Sequence, residues 1–221
     1  MGRGTDFAAR RVRMVDRLVR SGYIQQPRVR AAFLAVPREA FVLPEHRDEA
    51  YEDVPLPIGF GQTISAPSMI AIMLEEASLT PGERVLEIGT GSGYHAALLG
   101  AIVGARNVVS IERHVGLAER AKANLAAIGF GDVAVVRGDG SLGYPDQAPY
   151  DCIMATAGAP RIPDAWPGQL APHGRIVAPI GASAHGQVLV IAVRGPDGRL
   201  EIREGTPCAF VPLIGSQAWP A

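Results

Sequence analysis

Four groups of residues in this sequence could do chemistry as one set. The first is Glu87-Ile88-Gly89-Thr90-Gly91-Ser92-Gly93, an acid followed by three glycines at alternate positions. The run 85–88 reads as a short strand buried on both faces. Glycine in the turn after it permits positive φ and removes the Cβ that would hold a ligand off the backbone. Such a turn, at the carboxyl end of a strand, is where open α/β sheets bind nucleotide-like cofactors. The second is Glu112, which closes the apolar stretch 108–111 about 20 residues after the turn and is placed to accept from both ribose hydroxyls. The third is Gly138-Asp139-Gly140, after the apolar stretch 133–136, where the carboxylate can accept from an exocyclic adenine amine. The fourth is Ser65, ahead of Pro67 and a helical apolar stripe. As a helix N-cap it offers an anion both its hydroxyl and free backbone N–H groups. Plainer readings stand beside each: a glycine turn that only packs, carboxylates that are solvated strand ends, a serine that only caps.

The glycine spacing narrows the cofactor. The dinucleotide fingerprint needs glycine at its first, third and sixth positions, and counted from Gly89 the sixth is Tyr94. Acid-x-Gly-x-Gly-x-Gly instead resembles the cofactor loop of S-adenosylmethionine-dependent methyltransferases. A sulfonium methyl donor reacts by in-line displacement, so the protein must hold a nucleophile about 3 Å from the methyl carbon. Thr156-Ala157-Gly158-Ala159-Pro160 lacks the Asn/Asp-Pro-Pro-aromatic pattern of enzymes that methylate nucleic-acid amines. Cys208 follows Pro207, as a cytosine C5 enzyme requires, but stands in the last strand. His46, His95, His114, His173 and His185 are scattered without ligand spacing, and no metal is expected. No strong general base remains. A carboxylate acceptor, with a pKa of about 4, needs none at neutral pH; it needs orientation and a dry pocket.

The elements that must position these residues follow from pattern. The 221 residues suffice for one α/β domain with its own core. A net charge of −1 gives no overall pull toward nucleic acid or anionic membrane, and the arginines from Arg3 to Arg30 read as a solvated helix face. The two cysteines, Cys152 and Cys208, form no disulfide framework and fit a reducing compartment. No apolar run approaches the ~20 residues of a membrane span, and no signal peptide is evident, so the cytoplasm is expected. Asp6 or Thr5 should cap a first helix with Ala8, Val12, Val15 and Val19 on its inner face and Gly22 at its end. Pro27 should start a second helix. Residues 44–57 read as a loop or short hairpin region. Strands over 85–88, 108–111, 133–136 and 150–155 alternate with helices over 94–103 and 116–128, a series that implies a parallel sheet. A short helix near 163–170, a strand over 175–180, and an antiparallel pair over 187–193 and 200–212 complete the chain.

One further stretch is specific. Gly61-Gln62-Thr63-Ile64-Ser65-Ala66-Pro67, taken with the glycine loop, strongly resembles the protein-L-isoaspartate O-methyltransferase family. Val36-Pro37-Arg38-Glu39-Ala40-Phe41-Val42, Tyr51–Gly59, Gly138-Asp139-Gly140 and Phe210-Val211-Pro212-Leu213-Ile214-Gly215 extend the resemblance over nearly the whole chain. It implies a doubly wound, mostly parallel seven-stranded sheet with an N-terminal helical cover and an antiparallel C-terminal strand pair. It also implies one methyltransferase domain over 1–221, with a substrate-side segment in 1–80 and a cofactor-binding core in 81–221. The implied activity is methyl transfer from S-adenosylmethionine to the free carboxylate of L-isoaspartyl residues in damaged proteins and peptides. S-adenosylhomocysteine is left as product, and the ester goes on to a succinimide. Ser65 matches the family's active-site serine. Gln62, Thr63, Ile64, Ser65, Ser92, Glu112, Arg113, Asp139 and Gly140 match its cofactor contacts, to which the loop adds Glu87, Gly89, Thr90 and Gly91. Residues 210–214 match a pocket wall. Trp166, His114 and the pair His173-Gly174 depart from the commonest pattern. Expected partners are isoaspartyl proteins, not nucleic acid or membrane, and a monomer is expected. The alternatives are a methyltransferase for another carboxylate or peptide-tailoring substrate, and a non-catalytic cofactor-binding module.

Overall fold

The structure, a computed structural model, describes residues 6–183 and 186–220, so Arg3, the alternative cap Thr5 and His185 lie outside it. Asp6 caps α1 (Phe7–Arg20), its carboxylate accepting from Ala9 N at 3.0 Å. Gly22 ends the helix at φ +76°, with Gly22 N donating to Val19 O and Tyr23 N to Leu18 O. The buried face is Met14, Val15 and Leu18; Ala8, Val12 and Val19 of the expected stripe are exposed. Apolar residues on two adjacent helix faces do not say which one will be covered. α2 (Pro27–Ala35) begins at Pro27 and buries Val29, Ala32 and Phe33. A 3₁₀ turn occupies Pro44–Glu49, and an antiparallel hairpin follows, β1 (Leu56–Gly59) with β2 (Gln62–Ile64). α3 (Pro67–Ala77) buries Ile70, Met73, Leu74 and Ala77.

The alternating series then runs β3 (Val85–Ile88), α4 (Tyr94–Val103), β4 (Val108–Glu112), α5 (Val115–Ala127), β5 (Ala134–Arg137) and β6 (Tyr150–Ala155). It ends in β7 (Leu170–Ser183), β8 (Gly186–Arg194) and β9 (Leu200–Cys208). The seven-stranded sheet has the order β5-β4-β3-β6-β7-β8-β9; β3 to β7 pair in parallel, β8 and β9 antiparallel. Alternate strand residues enter two cores. Val85, Val108, Cys152, Met154 and Val177 meet the helices, while Leu86, Ile88, Ile111, Ile153 and Ile176 meet Trp166, Ala159 and Leu213. The chain winds over both faces, but among the described residues the second face is covered by 3₁₀ turns and loops.

Two boundaries differ from expectation. Before β7 there is only a 3₁₀ turn at Pro167–Gln169, and the strand starts at Leu170. Its register against β6 shifts between Tyr150 and Cys152, where His173 takes φ +60°, a conformation that explains why glycine suits that position. β9 stops at Cys208 because Gln187 of β8 takes over with its side chain: Phe210 N donates to Oε1 at 2.8 Å and Nε2 donates to Phe210 O at 3.1 Å. Residues 209–214 then leave the sheet edge and lie beside Gly158. Gly158 N donates to Val211 O and Leu213 N to Gly158 O, each at 2.8 Å.

An ion pair fastens the other end of the sheet. Arg175 of β7 meets Glu83 through both terminal nitrogens, at 3.1 and 2.8 Å, and its Nε donates to Ala77 O. Burial pushes the Glu83 carboxyl up, but hydrogen bonds from Arg175 and Thr80 N, together with the Arg175 charge, outweigh it and hold the pKa below its ordinary value. A depressed carboxylate contributes stability above its unfolded pKa of about 4.3 and loses it as pH falls through the folded value. Glu83→Gln is therefore expected to cost about 1–2 kcal/mol at pH 7 and little at pH 3. Urea unfolding at the two pH values checks this; an equal loss at both would contradict it.

Candidate active site

Strand order reverses between β3 and β6, which places a crevice at their carboxyl ends. The glycine turn lies there. Gly89 N and Thr90 N donate to Ile111 O at 2.9 and 3.1 Å, closing the turn onto β4. Gly89 has φ +94°, and a Cβ on it would stand 2.6 Å from Thr156 Oγ1; Gly91 has φ +56°, and its Cβ would stand 3.2 Å from Ile58 Cδ1. Bare backbone is thus required where the turn faces β6 and the hairpin. Gly91 N donates to Glu112 Oε2 and His114 N to Glu112 Oε1, both at 2.8 Å. Each oxygen keeps a lone pair for a ligand hydroxyl.

Two spaces open from this turn and a third adjoins them. One is bounded by Gln62, Thr63, Gly91, Glu112, Arg113 and Gly140. A smaller one, of about 40 Å3, lies against Ile64, Ser65, Thr90, Ser92 and His95. The third, of about 190 Å3, lies between Ser65, Met69, Thr156 and residues 209–211. Thr63 and Thr156 border all three. Ser65 thus stands at the boundary between the glycine turn and the space walled by Phe210 and Val211. Asp139 lies farther out, in an open groove with Arg113 and Ile214.

One of the expected residues faces elsewhere, and two more are engaged by neighbours. Glu87 is wholly buried behind the turn, its carboxylate engaged by His95 Nδ1 at 2.8 Å and by the Ser110 hydroxyl. It does not itself border the crevice. Thr90 lines the smallest space, but its hydroxyl lies 2.6 Å from Ser110 Oγ in the same buried network. Asp139 accepts four hydrogen bonds, from Ser141 N and Oγ and from Ser216 N and Oγ. Burial pushes its carboxyl up, and those four donors outweigh burial and hold its pKa down. They fill the carboxylate, so an adenine amine would have to share a lone pair with Ser141 or Ser216.

Ser65 does not cap α3, contrary to the sequence reading. Ala66 is the N-cap residue, and Asp53 supplies the acceptor, taking Ser68 N at 2.8 Å. A charged acceptor from the preceding loop performs the capping, and among the described residues the Ser65 hydroxyl has no hydrogen-bond partner. The Ser65 carbonyl accepts from Arg38 Nη2 at 2.8 Å. Arg38 is fully buried, also donates from Nε to Ala50 O at 2.8 Å, and lies 5.0 Å from the centre of the Tyr94 ring.

Sequence reasoning missed the supporting roles of Arg38, Asp53, Thr156 and Trp166. Trp166 is wholly buried and its indole N–H donates to Gly140 O at 2.9 Å, steadying the turn that carries Asp139. Only Thr156 had a local signal, its place directly after the β6 strand at the strand-order reversal. Burial pushes the Cys152 thiol up to about 12 and Cys208 up to about 11, so neither is a thiolate at neutral pH. Among the described residues no group of three or more His, Cys, Asp or Glu could hold a metal ion, and no helix is long and apolar enough to cross a membrane.

Residues 9–218 match the family model described as protein-L-isoaspartate(D-aspartate) O-methyltransferase. A protein-L-isoaspartate O-methyltransferase of Hyperthermus butylicus is 51% identical, over 96% of this chain and 92% of the relative. One from Rhodopseudomonas palustris is 49% identical, over 97% of this chain and 87% of the relative. A solved protein-L-isoaspartate O-methyltransferase superposes with a TM-score of 0.84 at 31% identity, covering 94% of this chain and 67% of the other. A Plasmodium falciparum structure, in complex with S-adenosyl-L-homocysteine, superposes with a TM-score of 0.82 at 23% identity, over 96% of this chain and 99% of the other, which speaks to the fold.

Proposed function

The chain belongs to the protein-L-isoaspartate(D-aspartate) O-methyltransferase family, and on that premise we propose that it methylates the free carboxylate of L-isoaspartyl residues in damaged proteins and peptides. The observation that carries this is the convergence of the glycine turn, Glu112, Ser65 and residues 209–211 on one crevice. When bound, S-adenosylmethionine supplies a sulfonium methyl group to an in-line nucleophile. The residues present fit it: bare glycine backbone at Gly89 and Gly91, two free acceptor sites on Glu112, and a buried ring nitrogen of His95 without a partner.

In this reading Glu112 holds the ribose hydroxyls, Gln62, Thr63 and Ile64 line the route from hairpin to α3, and Arg113, Asp139 and Gly140 border the base. The acceptor carboxylate is ionised at neutral pH and needs no base. Ser65 Oγ–H donates to it and fixes its direction, while Phe210 and Val211 exclude water. In the resulting ester the neighbouring backbone amide nitrogen attacks the ester carbonyl and expels methanol, closing a succinimide without further help from the protein. Residues 1–221 act as one domain, with 1–80 serving as cover and substrate side and 81–221 as cofactor core. In the same reading the enzyme acts as a monomer, and its two free cysteines support a cytoplasmic setting.

The test is methyl transfer from labelled S-adenosylmethionine to a matched pair of peptides, one L-isoaspartyl and one normal aspartyl. Base-labile label on the isoaspartyl peptide alone is expected. Label on neither, with cofactor binding intact, would reject this acceptor. Ser65→Ala should lower kcat about tenfold, the loss of one orienting hydrogen bond to a charged group, and leave S-adenosylhomocysteine affinity unchanged. An unchanged kcat would remove Ser65 from the mechanism.

A further inference from the structure

Among the described residues, His95 is a buried histidine whose surroundings fix its hydrogen. It is 6% exposed, in the first turn of α4. Its Nδ1 lies 2.8 Å from Glu87 Oε1, and the other Glu87 oxygen accepts from Ser110. With the Ser110 hydrogen committed to Glu87, Thr90 donates to Ser110 across their 2.6 Å contact. Every donor in this buried chain ends on the Glu87 carboxylate, so Nδ1 carries a hydrogen and Nε2 of the neutral ring carries a lone pair. Nε2 is buried and has no partner among the described residues. A buried acceptor left unpaired is costly, and each such group calls for an explanation.

His95 also borders a small space beside the glycine turn. It measures about 40 Å3 and borders the glycine turn at Thr90, Gly91 and Ser92. One water needs roughly 10–15 Å3, so a compact polar head group fits and a ring does not. Ile70 and Met73 form its apolar side and offer that head group no polar partner. The Glu87 charge behind the imidazole favours a cation. We propose that His95, oriented by Glu87, accepts at Nε2 from the α-ammonium group of the cofactor's methionine tail. This rests on the reading of the chain as an S-adenosylmethionine enzyme. It also gives Glu87 a part in cofactor binding at one remove, through the ring it orients.

The experiment is calorimetric titration of wild type, His95→Leu and His95→Gln with three ligands: S-adenosylhomocysteine, its analogue lacking the amino group, and its analogue lacking the carboxylate. His95→Leu should bind the two amine-bearing ligands about tenfold more weakly and the deamino ligand as wild type does. His95→Gln, which keeps an acceptor near Nε2, should recover most of the loss. A loss that follows the carboxylate would overturn the proposal and make Nε2 a donor. Equal losses for all three ligands would also overturn it, leaving His95 a structural residue. Should His95→Leu not fold, His95→Asn keeps the contact to Glu87, lacks a group at Nε2 and carries the same comparison. Failure of wild type to bind any of the three would overturn the cofactor reading as well, an outcome distinct from selective or equal losses in the variants.

Discussion

Glu112→Gln lowers affinity for S-adenosylhomocysteine roughly 100-fold with the fold intact, an expectation that rests on two hydrogen bonds the variant cannot reproduce. Glu112 is nearly buried, and each of its oxygens already accepts one backbone N–H, from Gly91 and from His114. The remaining lone pairs are what a ribose diol meets. Glutamine keeps one carbonyl oxygen and turns an NH2 toward one of those N–H groups, so donor faces donor and either the glycine turn or the start of α5 must shift. Hydrogen bonds with a charged partner contribute about 1.5–3 kcal/mol each, and neutralising the acceptor removes about half of each. Across two ligand contacts and one displaced backbone contact the sum reaches about 2.7 kcal/mol, which is the 100-fold stated. Calorimetric titration checks it, with circular dichroism to confirm folding. An affinity within twofold of wild type would remove Glu112 from the ribose site.

Arg38→Met is expected to cost about 3 kcal/mol of stability. The guanidinium bridges two carbonyls distant in sequence, Ala50 and Ser65, and faces the Tyr94 ring, which also packs edge-on against Phe33 and Phe41. Methionine restores volume but leaves both carbonyls without a donor, at about 1–3 kcal/mol each, and removes a desolvated cation–π contact of about 2 kcal/mol. Against this stands relief from burying a charge. That cost is visible in the Arg38 pKa, which burial lowers to about 10, a value still far above neutrality. Arg38→Lys reaches one carbonyl at most and should fall between the two. The midpoint of urea unfolding reads the change directly. Since Ser65 is one of the two tethered residues, the Arg38→Lys enzyme should lose kcat before it loses cofactor affinity. A methionine variant within 1 kcal/mol of wild type would mean that the bridge carries no net stability.

The residues tied to local chemistry were legible in the sequence. β3, α4 and β6 fall at their expected limits because glycine punctuation and apolar runs bound them closely. Asp6, Gly22 and Pro27 perform the capping and starting roles that their types suggest. The departures at Ser65 and β9 each involve a partner at a distance along the chain. Ser65 was read as a cap because it precedes Pro67, whereas Asp53 arrives from the preceding loop as a better acceptor. β9 was extended to 212 because its apolar pattern continues, whereas the Gln187 side chain ends the ladder at Cys208. The motifs place Glu87 and Asp139 among the ligand contacts, and the structure adds the neighbours that engage their carboxylates. Whether such a carboxylate faces a crevice or satisfies neighbouring donors depends on Ser110, His95 and Ser216, which sequence spacing does not reveal.

The segment 209–214, which leaves β9 and lies beside Gly158, joins ligand occupancy to folding. Its strand-like contacts span more than fifty positions of chain, so forming them closes a long loop and belongs late in folding rather than early. The hairpin on the opposite wall is likewise held from afar, by Arg120 reaching Ile58 O and by Phe60 stacked on His114 at 5.8 Å. In the proposed reading a cofactor held between these walls would bind the folded chain alone and, by mass action, add RT ln(1 + [L]/Kd) to its stability. At a hundredfold excess over Kd that is about 2.7 kcal/mol, comparable to the whole effect expected of losing Arg38. Saturating S-adenosylmethionine is therefore expected to slow proteolysis of the enzyme, a change that a timed protease digest with and without it checks.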